Sequence, residues 1–554
     1  MDIIVEREIE MKRLAKVIVI FLMLLGVGTL SSQYPENKSG GTKDLLLLND
    51  VLGVVSEYYV DQIPPEDLVM EAIEGLVESL DPHSQLLDQR HHSRLMEQTK
   101  GEFGGIGIEI SIRDDTLTVL SPIPGTPASR VGLQAGDRIV KIENEPTYGM
   151  KLEEAVKRLK GKPGTLVNIW VRRMGVDEDI HFAITRAIIK IESVQGKFML
   201  TPQIGYVRLG VFSDKSGEEL VEAIDDLKAH GMQKLIFDLR DNPGGLLNRA
   251  VDVANIFLEP GQVIVSTRGR IRTANKVFRA ENPPLWNEGP IITLISGGSA
   301  SASEIVSGAL QDHDKSVIMG TTSYGKGSVQ TLIDLREDYA LKLTTAKYYT
   351  PSGRCIHSDE NAGESHHPLL TPEDTMQVFT TDSGRIVHGG GGITPDLIVK
   401  PDSLTGSEHK IYKQVGKFRN LMFRYAVEFK NTHPEAGRDS IDSVQYLPGF
   451  EDRVVKITPQ MIADLRKLML EGGFDLTPAE FNGADSLIRQ WMYYYIADAC
   501  FDRNTAQRIL SEYDKQVIKA VELLEKAPAK GKFVETLLAG RTIPDTLDLS
   551  KTAK

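Results

Sequence analysis

The sequence predicts a multidomain α/β protein: an α/β core with an inserted β-rich module, a helical N-terminal region and a helical C-terminal domain. Three observations lead there. From residue 204 onward strands alternate with helical segments, which implies a largely parallel sheet. Residues 101–173 instead hold short strands separated by Gly and Pro turns. Apolar residues at helical spacing occupy the regions on either side.

The elements follow in order. "MKRLAKVIVIFLMLLGVGTLSSQ" places Lys12, Arg13 and Lys16 before an apolar run, the layout of a signal peptide. The run is short of the roughly 20 apolar residues of a full span, yet it also suits an uncleaved anchor. Residues 1–32 are therefore read as a signal peptide or membrane anchor, and the protein as exported. Residues 44–98 form a helical region, with Leu45, Leu48, Val51, Leu52 and Val55 at helical spacing. Its second helix starts after Pro64-Pro65 and stops at "LDPHS", where Pro82 disfavours helix at Asp81. Residues 99–190 are the β-rich module and 191–404 the α/β core. Within the core, Ser216 and Glu219 have capping-box spacing. Residues 405–554 read as amphipathic helices, one of them spanning 507–524, and a tail.

Bulk properties exclude some functions. The net charge of −13 argues against nucleic acid, whose phosphates require a basic surface. Cys355 and Cys500 form no CxxC pattern, so no zinc finger or disulfide framework is expected. The "RHHSR" and "ESHHP" histidines lack metal-site spacing such as H-E-x-x-H. Neither a metal nor a cofactor is expected.

The chemistry concentrates in "LISGGSASASEIVSGALQD". Ser301 and Glu304 have S-x-x-E spacing, and Ala302, Ile305, Val306, Ala309 and Leu310 follow at helical intervals. Ser301 thus sits at a strand-to-helix turn. As a simple cap, its hydroxyl is worth about 1 kcal/mol. As a nucleophile, it stands above the sheet with the Ala302 N–H positioned to hold an oxyanion. It then needs a base. His313 ends the same helix, roughly 16–18 Å away by helix rise. Lys326, in "GTTSYGKGSVQ", follows the next strand and has no acidic sequence neighbour. It acts as a base only if desolvation lowers its pKa; otherwise it is a solvated loop lysine. Gln330, four residues on, lies on the same side in a strand or a helix. "GTTSYGKG" approaches a P-loop, but Gly327 replaces the hydroxyl that binds Mg²⁺. "DLRDNPGG" is a second strand-to-helix turn, in which Gly244 or Gly245 can supply another oxyanion donor or simply make the turn.

Together "GSASASEIVSGALQD", "GTTSYGKGSVQ", "DLRDNPGG", "IGYVRLGVF", "AKYYTPSGR", "SLDPHS" and "GGIGIEI" resemble the C-terminal processing peptidases, or tail-specific proteases. The resemblance covers roughly residues 44–400. It implies that Ser301 is the nucleophile, Lys326 the general base and Gln330 its support. Ala302 and the glycines of "NPGG", Gly244 and Gly245, match the oxyanion donors. The β-rich module is similar to a PDZ domain, with Gly105, Ile106 and Gly107 matching the loop that binds a terminal carboxylate. The implied function is an exported, periplasmic or membrane-anchored serine endopeptidase. Its substrates would be proteins or peptides with free, apolar C-termini. A non-catalytic PDZ scaffold is the alternative, although it has no use for the serine–lysine pair. The terminal helices are compatible with a homo-oligomer. Residues after about 405 depart from the common core of the family.

Overall fold

The computed structural model describes residues 41–287, 289–336, 339–358, 378–437, 441–528 and 533–538. The segment read as a signal or anchor, the "ESHHP" histidines and the extreme C-terminal tail lie outside them. Among the described residues no helix is long and apolar enough to cross a membrane.

The chain divides into two units, residues 1–76 and 77–554. The first contains the helix Gly41–Tyr58 and most of Pro65–Glu78. The second helix opens on Pro65, Glu66 and Asp67, which suit a helix N-terminus. Leu45, Leu48 and Val51 are exposed.

The second unit is built on a six-stranded sheet in the order Val194–Met199, Ile204–Leu209, Lys234–Asp238, Ile291–Ile295, Val317–Gly320, Leu397–Ile398. Only the first pair is antiparallel. All five residues of Lys234–Asp238 and of Ile291–Ile295 are buried, as expected of a parallel sheet covered on both faces. Helices Ser216–Ala229, Leu247–Asn255 and Ala302–Asp312 pack one face, through Leu220, Val253 and Val306. The other face is covered from far along the chain by Val517, Ala520 and Leu524 of the helix Lys515–Lys526.

A second, antiparallel sheet centres on the long strand Ala340–Tyr349. Ser328–Asp334 pairs with it. Gln85–Leu87 and Val263–Arg268 also pair with it, at opposite ends: at Ala340–Lys342 and at Lys347–Tyr349.

The β-rich module hangs on a stem in which Glu102–Gly105 pairs antiparallel with Ala187–Lys190. Its sheet runs Ile108–Arg113, Thr116–Pro122, Arg138–Ile142, Leu166–Arg172, Ile180–Thr185 around Leu117, Val119, Ile139, Val167 and Ile169. Ile108–Arg113 is an edge, paired on one side only.

The C-terminal helices have their own core, including Phe418, Phe450, Leu465, Ile488 and Met492. They touch both neighbours. Arg503 Nη2 donates to Glu109 Oε2 at 2.8 Å and Arg113 Nη1 to Asn420 Oδ1 at 3.0 Å, on the β-rich module. On the core, Arg240 pairs with both Asp238 and Asp514, and Lys234 Nζ donates to the Leu524 and Ala527 carbonyls.

Two local expectations need correction. Ser216 is not a cap: its hydroxyl donates to the Val211 carbonyl, while Glu219 accepts the Ser193 and Val194 N–H groups at 2.6 and 3.0 Å. Tertiary partners outcompete the box. The helix expected over 507–524 is two, Arg503–Tyr513 and Lys515–Lys526. Asp514 divides them because its carboxylate caps the second by accepting from the Gln516 and Val517 N–H groups.

Candidate active site

The strand Ile291–Ile295 feeds a tight turn that is locked to the "DNPGG" loop. Ser296 and Asp241 exchange two hydrogen bonds, Ser299 Oγ donates to the Leu239 carbonyl at 2.8 Å, and the Ala300 N–H donates to the Asn242 carbonyl at 3.0 Å. Ser303 Oγ donates to that same Asn242 carbonyl. Two of the three alternating serines are thus structural. Ser301 differs. Its φ of 55° with ψ of −109° is a strained backbone for a residue with a Cβ, a feature that clusters at functional sites. Ser301 and Glu304 take the capping-box arrangement, yet the hydroxyl makes no side-chain cap hydrogen bond. Its neighbour is Tyr348, which forms a side-chain hydrogen bond with Ser301 and whose own pKa burial pushes up to about 12.

Glu304 is fully buried and does far more than cap. Its Oε2 accepts the Ser301 N–H at 2.8 Å and the Lys326 N–H at 2.9 Å. Its Oε1 accepts the Gly325 N–H and the Ser323 hydroxyl, both at 2.6 Å. One carboxylate therefore clamps the Ser301 turn to the Lys326 loop. Burial holds its pKa above the usual carboxylate range, against the pull of these four donors.

Lys326 precedes the strand Ser328–Asp334, so no helix N-terminus follows the glycine-rich loop to cradle phosphate. Among the described residues its Nζ makes no hydrogen bond or ion pair. Burial depresses its pKa, and the Lys342 charge pushes the same way; Glu304 and Asp81 oppose. Gln330 Nε2 donates to Ser328 Oγ at 2.9 Å and to Thr344 Oγ1 at 3.2 Å. His313 is occupied elsewhere, by Asp382 and the Val263 carbonyl.

The glycines divide their labour. Gly244, at φ 98°, lies so close to the Ser301 turn that a Cβ would sit 2.7 Å from the Ala300 carbonyl and 2.9 Å from the Ala302 nitrogen. Its N–H is taken by Asn242 Oδ1 at 2.9 Å. The N–H groups of Gly245 and Ala302 donate to no acceptor among the described residues. In the β-rich module the Ile106 and Gly107 N–H groups are uncommitted in the same sense, and Gly107, at φ 80°, packs on Thr126. The Gly105 position belongs to the stem, opposite Ala187.

Sequence reasoning missed the turn at residues 80–84 as part of this neighbourhood. Asp81 is buried, and Thr344 Oγ1 donates to its Oδ1 at 3.1 Å. His83 is depressed to about 4 by burial and by the Lys326 charge, so it is neutral at pH 7. "SLDPHS" carries the signal: it ends a helix and is among the segments that resemble the family, but neither reading places Asp81 at the site.

Comparison with known proteins gives the family. Residues 203–362 match the model for peptidase family S41, and residues 118–173 that for the PDZ domain. The chain is 45% identical over 325 residues to a carboxy-terminal-processing protease of Bartonella bacilliformis, covering 58% of this chain and 74% of that protein. It is 33% identical over 337 residues to the carboxy-terminal processing protease CtpA of Bacillus subtilis, covering 61% and 72%. Among solved structures, the photosystem II D1 C-terminal processing protease matches at 27% identity and a TM-score of 0.32, over 59% of this chain and 93% of that one. The strained Ser301 turn follows a strand of the parallel sheet and packs against the Gly244 loop, an arrangement compatible with a hydrolase of the acyl-transfer type. The chain belongs to peptidase family S41, the carboxy-terminal processing proteases, and is a serine-type endopeptidase with a PDZ domain.

Proposed function

We propose that the chain is an exported endopeptidase that cuts with a Ser301–Lys326 dyad after its PDZ domain captures a substrate C-terminus. The observation that carries this reading is the shared Glu304 clamp, which ties the strained serine to a desolvated lysine with no described partner. Neutral Lys326 takes the Ser301 proton as Oγ attacks the scissile carbonyl. The negative charge on the tetrahedral oxygen is held by the Ala302 and Gly245 N–H groups. Gly244 instead allows the two loops their close approach. Lysinium then protonates the leaving amine, and the C–N bond breaks. Water, deprotonated by Lys326, attacks the acyl-enzyme, which releases the new C-terminus and restores the Ser301 hydroxyl. The PDZ edge strand Ile108–Arg113 accepts the substrate as an added strand, with its carboxylate on the Ile106 and Gly107 N–H groups.

The test is cleavage of an unstructured polypeptide ending in apolar residues, scored by mass spectrometry. Wild type is expected to cleave, while Ser301→Ala and Lys326→Ala fold but do not. Cleavage surviving in Lys326→Ala would sink the dyad. The basic, apolar leader supports export, read out by fractionating cells that express the full chain. The exposed Leu45, Leu48 and Val51 favour self-association, read out by light scattering.

A further inference from the structure

We propose that Asp81 is a positioning residue for catalysis: through the Thr344 hydroxyl it fixes which end of the Gln330 side-chain amide is available to Lys326. This rests on the reading of Lys326 as the base. The argument begins with the turn at residues 80–84. Asp81 Oδ1 accepts the His83 and Ser84 N–H groups at 2.8 and 3.0 Å, and Oδ2 accepts the Ser84 hydroxyl at 2.6 Å. Burial opposes its charge, but these donors together with Thr344 hold its pKa below the usual range, so it is a carboxylate. The turn is also pinned from outside. Ser84 Oγ accepts the Thr344 N–H at 3.1 Å, and the strand Gln85–Leu87 continues beside Ala340–Lys342. It thereby fills the gap along Ala340–Tyr349 left between the two pairing strands.

The polarity of the chain of bonds then follows from donor counts. A carboxylate only accepts, so the single Thr344 hydroxyl hydrogen goes to Asp81. Toward Gln330 the hydroxyl oxygen can only accept. Gln330 must therefore present Nε2 to Thr344, and its second Nε2 hydrogen goes to Ser328 Oγ. Both amide hydrogens are spent, and among the described residues Oε1 is left as the end without a donor. The register makes this possible. A β-bulge skips Thr345, so that Gln330 stands directly opposite Thr344.

The chemical consequence concerns the lysine lone pair. Lys326 Nζ makes no such bond among the described residues; when it turns to Oε1, that oxygen can accept an N–H in either protonation state, which leaves the lone pair of the neutral amine free for the Ser301 proton. A reversed amide would offer Nε2 instead, and that donor would compete for the same lone pair. Asp81 excludes the reversal from a position 263 residues before Thr344.

Thr344→Val keeps the β-branched shape and removes the hydroxyl; Thr344→Ser restores it. Both are compared with Gln330→Ala and the Gln330→Ala/Thr344→Val double variant, using the cleavage assay above and thermal unfolding. In Thr344→Val, kcat is expected to fall by roughly 10- to 100-fold, the loss of one buried hydrogen bond to a charge-linked group, with KM within about twofold. Thr344→Ser is expected within about threefold of wild type, and the double variant no worse than Gln330→Ala. The acid limb of the pH profile adds a signature. Lys326 is faced by Lys342, Asp81, Glu304 and His83, all unchanged in these variants. Losing the acceptor moves the limb to lower pH, whereas mere loosening hydrates the lysine and moves it to higher pH. A limb moving up, equal losses in Val and Ser, or multiplicative losses in the double variant would overturn the proposal. If Lys326→Ala is inactive while Thr344→Val matches wild type, the relay alone fails. If Lys326→Ala cleaves normally, the dyad fails and the relay with it.

Discussion

Replacing Glu304 with Gln tests the clamp between the two halves of the site. The wild-type carboxylate takes four donors, two on each oxygen. An amide can accept at one end only. With its oxygen toward Ser301 and Lys326, the NH₂ faces Ser323, which can turn to accept, and the Gly325 N–H, which cannot. One orphaned buried donor costs about 1–3 kcal/mol. The opposite orientation orphans the Ser301 and Lys326 N–H groups, about twice that, so the first is adopted. Glu304→Gln is therefore expected to fold, losing about 1–3 kcal/mol to the orphaned donor and recovering part of it because a neutral amide has no charge to desolvate. Glu304→Ala leaves all four donors without an acceptor, a cost of about 4–12 kcal/mol that rivals the whole stability of a typical domain. Urea unfolding followed by circular dichroism reads both. The pH dependence carries a sign as well. Because the carboxyl is raised above 4.5 in the folded state, wild-type stability is lost as pH rises from 4.5 through the raised value. The glutamine variant lacks that slope. Equal stability for wild type and Glu304→Ala at pH 7, within about 0.5 kcal/mol, would refute the idea that this clamp holds the site together.

Other outcomes are expected on the same grounds. Lys326→Met should be more stable than wild type at neutral pH, because it removes a desolvated ammonium. That advantage should shrink as pH rises from the depressed value toward 10.5, read by thermal shift. Lys342→Met removes a like charge, so the acid limb of activity should move to higher pH. Gly244→Ala places a Cβ 2.7 Å from the Ala300 carbonyl at a φ of 98°. It should abolish cleavage and cost at least ~1–2 kcal/mol from the backbone strain alone. Gly107→Ala puts a Cβ 2.3 Å from Thr126 in the PDZ loop. It should raise KM for a substrate with a free C-terminus and leave an amidated one, already a poor substrate, unchanged.

Much of this protein is readable along the chain. Helix starts, buried strands and the inserted β-rich module follow from local periodicity, Gly and Pro turns, and caps, all of which act within a few residues. Ser301 and Lys326 were legible for the same reason, since each lies in a compact motif at the end of a predicted strand. Local logic failed where distant partners compete for the same polar atoms. Ser216 gave its hydroxyl to the Val211 carbonyl instead of a cap, and Glu304 became the acceptor for a loop beyond the next strand. The turn at Asp81 looked like a helix stop, because nothing near it in sequence hints at Thr344. That pairing exists only once Gln85–Leu87 has docked beside Ala340–Lys342 and a bulge has set the register opposite Gln330. The sequence by itself determined which groups are candidates for the chemistry. Only the tertiary structure decided how their hydrogens are shared, since burial removes water as an alternative partner and leaves each donor to whichever acceptor the fold brings near.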